Sequence, residues 1–133
     1  MTWLADPLID GTASGPALRL DQPISFWGGV DPADGRITRP DHPQHGACVS
    51  GMVLVIERLI GSSSSSAVML ELLRCGQAPC ALIVGARDAI LPIGVLVAGQ
   101  MGWATIPVLH LADPPFRTGD ILTLCAGGHI ERA

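Results

Sequence analysis

The sequence predicts an α/β domain built on a parallel sheet with right-handed crossovers. Two observations predict it. From residue 52 onward, apolar strand-like runs alternate with longer stretches of helical length in a β-α-β-α-β order. The first 50 residues are turn-rich, carry only short strand-like runs, and have to supply a second layer. With 133 residues, 48% of them hydrophobic, the chain fits a single domain over 1–133 and can bury a sizeable core.

In the first half, the turn signals Asp10-Gly11, Ser14-Gly15-Pro16, Gly28-Gly29 and Asp34-Gly35, followed by Pro40 and Pro43, delimit strand-like runs at 17–20, 24–27 and 48–56. In the second half the elements are a strand at 52–56, a helix at 64–75, a strand at 80–84, a helix at 89–101, a strand at 106–111 and a last strand at 121–125. Ala67, Val68, Leu70, Leu72 and Leu73, with Glu71 and Arg74 interspersed, give the first helix one apolar face, and Gly76 stops it. Asp88 is placed to cap the second helix. Ala89 to Ala112 carries no Asp, Glu, Lys or Arg, but Pro92, Gly94, Gly99, Gly102 and Pro107 interrupt it. A spanning helix needs about 20 continuous apolar residues, so this stretch reads as a buried helix, a turn at Gly102 and a strand.

The net charge is −4, and all eight basic residues are arginines scattered singly. That pattern excludes a nucleic-acid footprint and a polybasic membrane patch, and suits recognition of carboxylates or phosphates. The start Met1-Thr2-Trp3-Leu4-Ala5-Asp6-Pro7 shows no basic region followed by an apolar one, so the expected compartment is the cytoplasm. Cys48, Cys75, Cys80 and Cys125 have neither Cys-x-x-Cys nor paired zinc spacing and are expected to be reduced core residues.

Three segments could carry chemistry. Gly61-Ser62-Ser63-Ser64-Ser65-Ser66 lies between a strand and a helix. It is either a serine-rich loop that caps the helix or an anion site, because a helix's first turn offers unpartnered N–H groups and a partial positive charge. No Gly-Lys-Ser/Thr ending follows, so it is not a nucleotide P-loop. A serine acting as a base there would need its alkoxide stabilised by the helix terminus and a nearby arginine. Pro23-Ile24-Ser25-Phe26-Trp27-Gly28-Gly29-Val30-Asp31-Pro32 sets two of the five aromatics side by side before a glycine pair. That is either a strand and turn or a loop that closes over a ligand or partner chain. Asp41-His42-Pro43-Gln44-His45-Gly46 reads as a polar turn, since two His without a helix or third ligand make a poor metal site.

Taken in order, Ile24-Ser25-Phe26-Trp27-Gly28-Gly29-Val30-Asp31-Pro32, His42-Pro43-x-x-Gly46, Gly51-x-Val53-Leu54-Val55, the serine run and Leu70-Glu71-Leu72 resemble the small subunit of the aconitase X family. The likeness continues through Ala78-Pro79-Cys80-Ala81 and Ile90-Leu91-x-x-Gly94-x-x-x-Ala98 to Ile106-Pro107-Val108. The resemblance implies a three-layer swivelling β/β/α domain, the counterpart of aconitase's mobile C-terminal domain. It implies a hydro-lyase subunit that works with a large subunit, which holds an iron–sulfur cluster or iron, with no cofactor or metal bound by this chain. The implied substrate is a small carboxylate, cis-3-hydroxy-L-proline giving Δ1-pyrroline-2-carboxylate or mevalonate 5-phosphate. The Arg-only, Ala/Gly-rich composition suggests a bacterial source and favours the first.

By the same resemblance Ser62 is the proton-abstracting base, Gly61, Ser63 and Ser64 bind substrate, and Ser25, Phe26, Trp27, Gly28 and Gly29 form an active-site or interface loop. Aconitase has an Arg after its serine pair where this chain has Ser64, and many relatives have Arg-Gly where this chain has Ile60-Gly61. The cation is therefore expected from Arg58, another loop or the large subunit. Two other classes remain as readings: a phosphohistidine-type carrier, for which no His lies in the serine loop, and a purely structural partner.

Overall fold

The computed structural model describes residues 1–133. The strands are β1 (Thr2–Leu4), β2 (Asp6–Ile9), β3 (Ala13–Leu20), β4 (Val53–Ile56), β5 (Ala81–Val84), β6 (Val108–His110), β7 (Ile121–Cys125) and β8 (His129–Arg132); the helices are α1 (Ser65–Arg74) and α2 (Ile90–Gln100). They form one eight-stranded mixed sheet in the order β1-β8-β7-β3-β4-β5-β6-β2, rolled into a nearly closed barrel.

The strand β3 makes this possible by belonging to both halves of the sheet. Ala13 to Pro16 pair antiparallel with β7, whereas Ala17 to Leu20 pair in parallel with Val53 to Ile56 of β4. β4, β5 and β6 continue the parallel half, and every residue of β4 and β5 is buried, as expected for strands covered on both faces. Val53, Val55, Ala81, Ile83 and Leu109 point into the barrel with Phe116, Leu122, Leu124 and Ile130. Leu54, Ile56, Leu82 and Val108 point the other way, onto Val68, Met69, Leu72, Leu91 and Val95 of the helices. The layers are therefore sheet, sheet and helix pair, the β/β/α arrangement expected.

Both helices lie within one residue of expectation at each end. Gly76 has φ +69°, which ends α1 in the left-handed conformation that glycine tolerates best. Asp88 accepts the Leu91 N–H at 2.9 Å, the expected cap, although Ala89 occupies the formal capping position. The turn at Gly102 is present, with φ +75°.

Several expectations are corrected. The run 24–27 is not a strand: only Ile24 forms a bridge, to Leu59, and the Phe26 carbonyl accepts the N–H groups of Gly29 and Val30. The run 48–56 shortens to β4, with Cys48 in an isolated bridge. The second layer comes from both chain ends, β1, β7 and β8, and not from the first half alone. β7 is not the last strand, because β8 follows it through the Gly127-Gly128 turn. The helix at 89–101 is buried on one side only: Ile93, Leu96, Val97 and Met101 face solvent. The cysteines are free but half-buried, not core. No helix is long and apolar enough to cross a membrane.

Candidate functional site

At the carboxyl ends of β3, β4 and β5 the chain leaves the sheet in three neighbouring turns. In open α/β sheets this edge is where ligands bind. The turn after β4 runs Glu57-Arg58-Leu59-Ile60 into the serine run. It is pinned by the Ile60 N–H, which donates to the Ile24 carbonyl at 3.0 Å.

The amides of Gly61, Ser62, Ser63, Ser64 and Ser66 make no hydrogen bond within the chain, and neither do the hydroxyls of Ser62, Ser63 and Ser64. Only Ser65 N–H is taken, by the Ser62 carbonyl at 3.0 Å. Ser66 Oγ donates to the Ser63 carbonyl at 2.9 Å and rounds the turn. Five unpartnered N–H groups and three free hydroxyls thus lie at the positive end of α1, where backbone donors and the helix dipole favour negative charge. Gly61 is not required by the chain itself: it lies outside the left-handed region, and a Cβ built on it meets no atom within 4 Å. Leu59, Ile60, Gly61, Ser62 and Ser65 share a small cleft with Asp88, Ile90 and Leu91, so the starts of both helices converge here.

Ser65 is the residue of the run whose part sequence reasoning missed. It is 4% exposed, and its Oγ accepts the Trp27 N–H at 3.3 Å and lies 3.4 Å from Ser25 Oγ. It therefore joins the aromatic segment to the first turn of α1. The signal available was the joint occurrence of the two segments, which says that they meet but not through which serine. Within that segment Phe26 is fully buried and acts as an anchor, not as part of an exposed loop. Gly29 is demanded by packing, since a Cβ there would sit 2.1 Å from the Ser25 carbonyl oxygen. Gly28 has φ +76°, and Trp27 stands 62% exposed on this rigid turn beside the serines.

The His42 segment is a turn, as expected, largely exposed apart from the buried His42 at its base. His42 Nδ1 accepts the Gln44 N–H at 3.0 Å, so the proton is on Nε2, which donates to the Gln22 carbonyl at 3.0 Å. Beside it, the Arg39 hydrogen bond and charge hold the Asp41 carboxyl below the usual carboxylate range and raise Arg39 in turn. His110 and His129 lie in strands, as read from the sequence. No three His, Cys, Asp or Glu side chains of this chain converge on a common point.

Fold and site together define a swivel-type β/β/α domain that presents a helix-terminal serine nest at the carboxyl edge of its parallel strands. Residues 2–131 match the family model described as the aconitase X swivel domain, and the chain belongs to that family. It is 42% identical over 108 residues to a cis-3-hydroxy-L-proline dehydratase of Hypocrea jecorina, a match covering 81% of this chain but only 18% of that protein. It is 31% identical over 132 residues to a phosphomevalonate dehydratase small subunit of Methanopyrus kandleri, covering 95% of this chain and 93% of that one. A crystal structure of Thermococcus kodakaraensis aconitase X in its holo-form superimposes with a TM-score of 0.90 at 29% identity, over 100% of this chain and 98% of that one.

Proposed function

We propose that this chain is the swivel subunit of a hydro-lyase that dehydrates a small hydroxy acid, with Ser62 as the proton acceptor. The observation that carries the reading is the set of unpartnered amides and hydroxyls from Gly61 to Ser66 at the start of α1. The Ser63 and Ser64 hydroxyls and the loop amides take the substrate carboxylate, and the open space over Gly61 lets the substrate approach the backbone. A serine accepts a proton from carbon only as its alkoxide, and the helix terminus with Arg58 supplies the positive field that favours this form. In cis-3-hydroxy-L-proline the proton leaves carbon 2 for Ser62 Oγ, hydroxide leaves carbon 3, and the new double bond tautomerises to Δ1-pyrroline-2-carboxylate.

Departure of the hydroxide is the work of groups outside this chain. A larger partner subunit completes the site, and any iron or iron–sulfur group belongs to it. The match to dehydratases of which this chain spans less than a fifth supports a body of that size. The phosphomevalonate reading has a specific support of its own, the near full-length match to a small subunit of that name.

The test is Ser62→Ala in the pair reconstituted with its large subunit, assayed on both substrates. Loss of a general base lowers turnover about 10²- to 10⁴-fold, and association measured by sedimentation should stay intact. Turnover near wild type would remove Ser62 from the mechanism.

A further inference from the structure

From the lip of the serine cleft an uncharged apolar stripe runs along α2. Ile60 and Ile90 line the cleft together. Ile93, Val97 and Met101 follow Ile90 at intervals of three and four residues, so they stack along one side of the helix to its carboxyl end, with Leu96 beside them. Leu96 is 60% exposed and Ile60 48%, and Ile93, Val97 and Met101 also face solvent. The exposed Trp27 stands beside the same serines, its N–H bonded to Ser65.

This is not the composition of a face left to water. The neighbouring α1 turns the Glu71–Arg74 ion pair outward, as a solvated helix does. α2 has nothing of that kind: all 8 basic and 12 acidic residues of the chain lie outside Ala89 to Ala112. Depletion of charge around exposed large apolar side chains marks the core of an interface. Trp27 adds an anchor on a turn that is already held in place. Phe26 is buried before it, Ser65 takes its N–H, and Gly29 has no room for a Cβ. A turn fixed before contact loses little further freedom on binding, and tryptophan is enriched among the residues that dominate interface energetics.

We infer that Trp27, Ile60 and the outer stripe of α2 form one docking face for the large companion subunit, which meets it with an uncharged apolar surface of its own. The occupant follows from where the stripe begins, at the lip of the serine cleft. A second copy of this chain would bring only another serine nest there, whereas the dehydration proposed above needs different groups. In the fungal relative, of which this chain matches only 18%, the rest of the protein is large enough to cover both the nest and an 11-residue helix about 16 Å long. Closed against that partner, Trp27 and Ile60 border the nest with apolar groups and keep water from it, which strengthens the electrostatic interactions inside. The inference deepens the dehydratase reading and rests on it for the identity of the partner.

The test is association of this chain with its large subunit, measured by sedimentation and by tryptophan emission. Trp27→Ala and Leu96→Glu should each weaken association about 10- to 100-fold, while the urea midpoint of the free chain stays close to wild type. Leu4→Glu, the same change at a residue 66% exposed on β1, should leave association unchanged. Mixing should shift the emission to the blue with the wild-type chain and not with Trp27→Phe. Wild-type affinity in both Trp27→Ala and Leu96→Glu overturns the docking face. A free chain that dimerises, and stops doing so in Leu96→Glu, gives the face to a second copy and overturns the inference as well. Weakening by Trp27→Ala alone confines the contact to the nest and overturns the part assigned to α2. A pair that assembles through this face and is inactive on both substrates overturns the dehydratase reading and leaves the docking face standing.

Discussion

At the scale of single residues, five consecutive serines do different work because of where each falls on the turn. Ser62, Ser63 and Ser64 keep their hydroxyls free, Ser66 closes the turn on the Ser63 carbonyl, and Ser65 faces inward to the Trp27 amide. Replacing Ser65 with Ala leaves a part-buried N–H without its partner, which costs about 1 kcal/mol. Urea unfolding should show that loss, and amide exchange at Trp27 should rise more than at Met69 or Leu72 of α1. Equal change at all three amides would mean that Ser65 only supports the helix. The serine run as an anion site was readable from the sequence, since a Gly-Ser stretch between strand and helix is a local pattern. The inward role of Ser65 was not, because its partner, the Trp27 amide, lies 38 residues away in sequence and only the fold brings the two together.

At the scale of elements, the helices were legible and the edge strands were not. Apolar spacing, Asp88 and Gly76 are local signals that mark α1 and α2 without reference to the rest of the chain. β1, β2 and β8 are three or four residues long and include Asp6-Pro7 and Glu131-Arg132; they exist because of partners far away in sequence. Conversely 24–27 has strand composition, yet the glycine pair turns it back on itself. The helix pair meets at Gly94, where a Cβ would stand 2.4 Å from the Ser66 carbonyl oxygen and 3.1 Å from Met69 Cβ. Gly94→Ala should therefore destabilise the chain by about 1 to 3 kcal/mol despite the higher helix propensity of alanine. Because the strain falls on Ser66, it should also disturb the serine turn. Unfolding midpoints for Gly94→Ala and for the exposed-face variant Leu96→Ala separate packing from propensity, the latter expected within about 0.5 kcal/mol of wild type.

For the whole molecule, the decisive feature is that two consecutive strands stand at opposite ends of the sheet order. β1 pairs with β8 and β2 with β6, so the first nine residues, kinked at Ala5, form the seam where the barrel nearly closes. The Ala5 N–H donates to the Gly128 carbonyl at 2.8 Å, and a Cβ on Gly128 would stand 2.1 Å from the Ala5 carbonyl oxygen, so the seam fits against a glycine turn. Trp3 packs edge-on against the buried Phe116, with ring centroids 4.8 Å apart, under the Arg132 guanidinium, while Leu8 and Ile9 cover the helix-side core. Terminal residues ordinarily tolerate deletion because little depends on them. Here removal of residues 1–9 strips β6 and β8 of one neighbouring strand each, leaving them as the new sheet edges, and uncovers part of both hydrophobic clusters. Burying each large apolar side chain contributes about 1.5 to 3 kcal/mol, so the loss is a sizeable share of the 5 to 15 kcal/mol typical of a domain. A chain lacking residues 1–9 should unfold at markedly lower urea and lose near-ultraviolet dichroism. The same midpoint as the full chain would mean that the seam frays freely and that the parallel half with its helices is the folding unit.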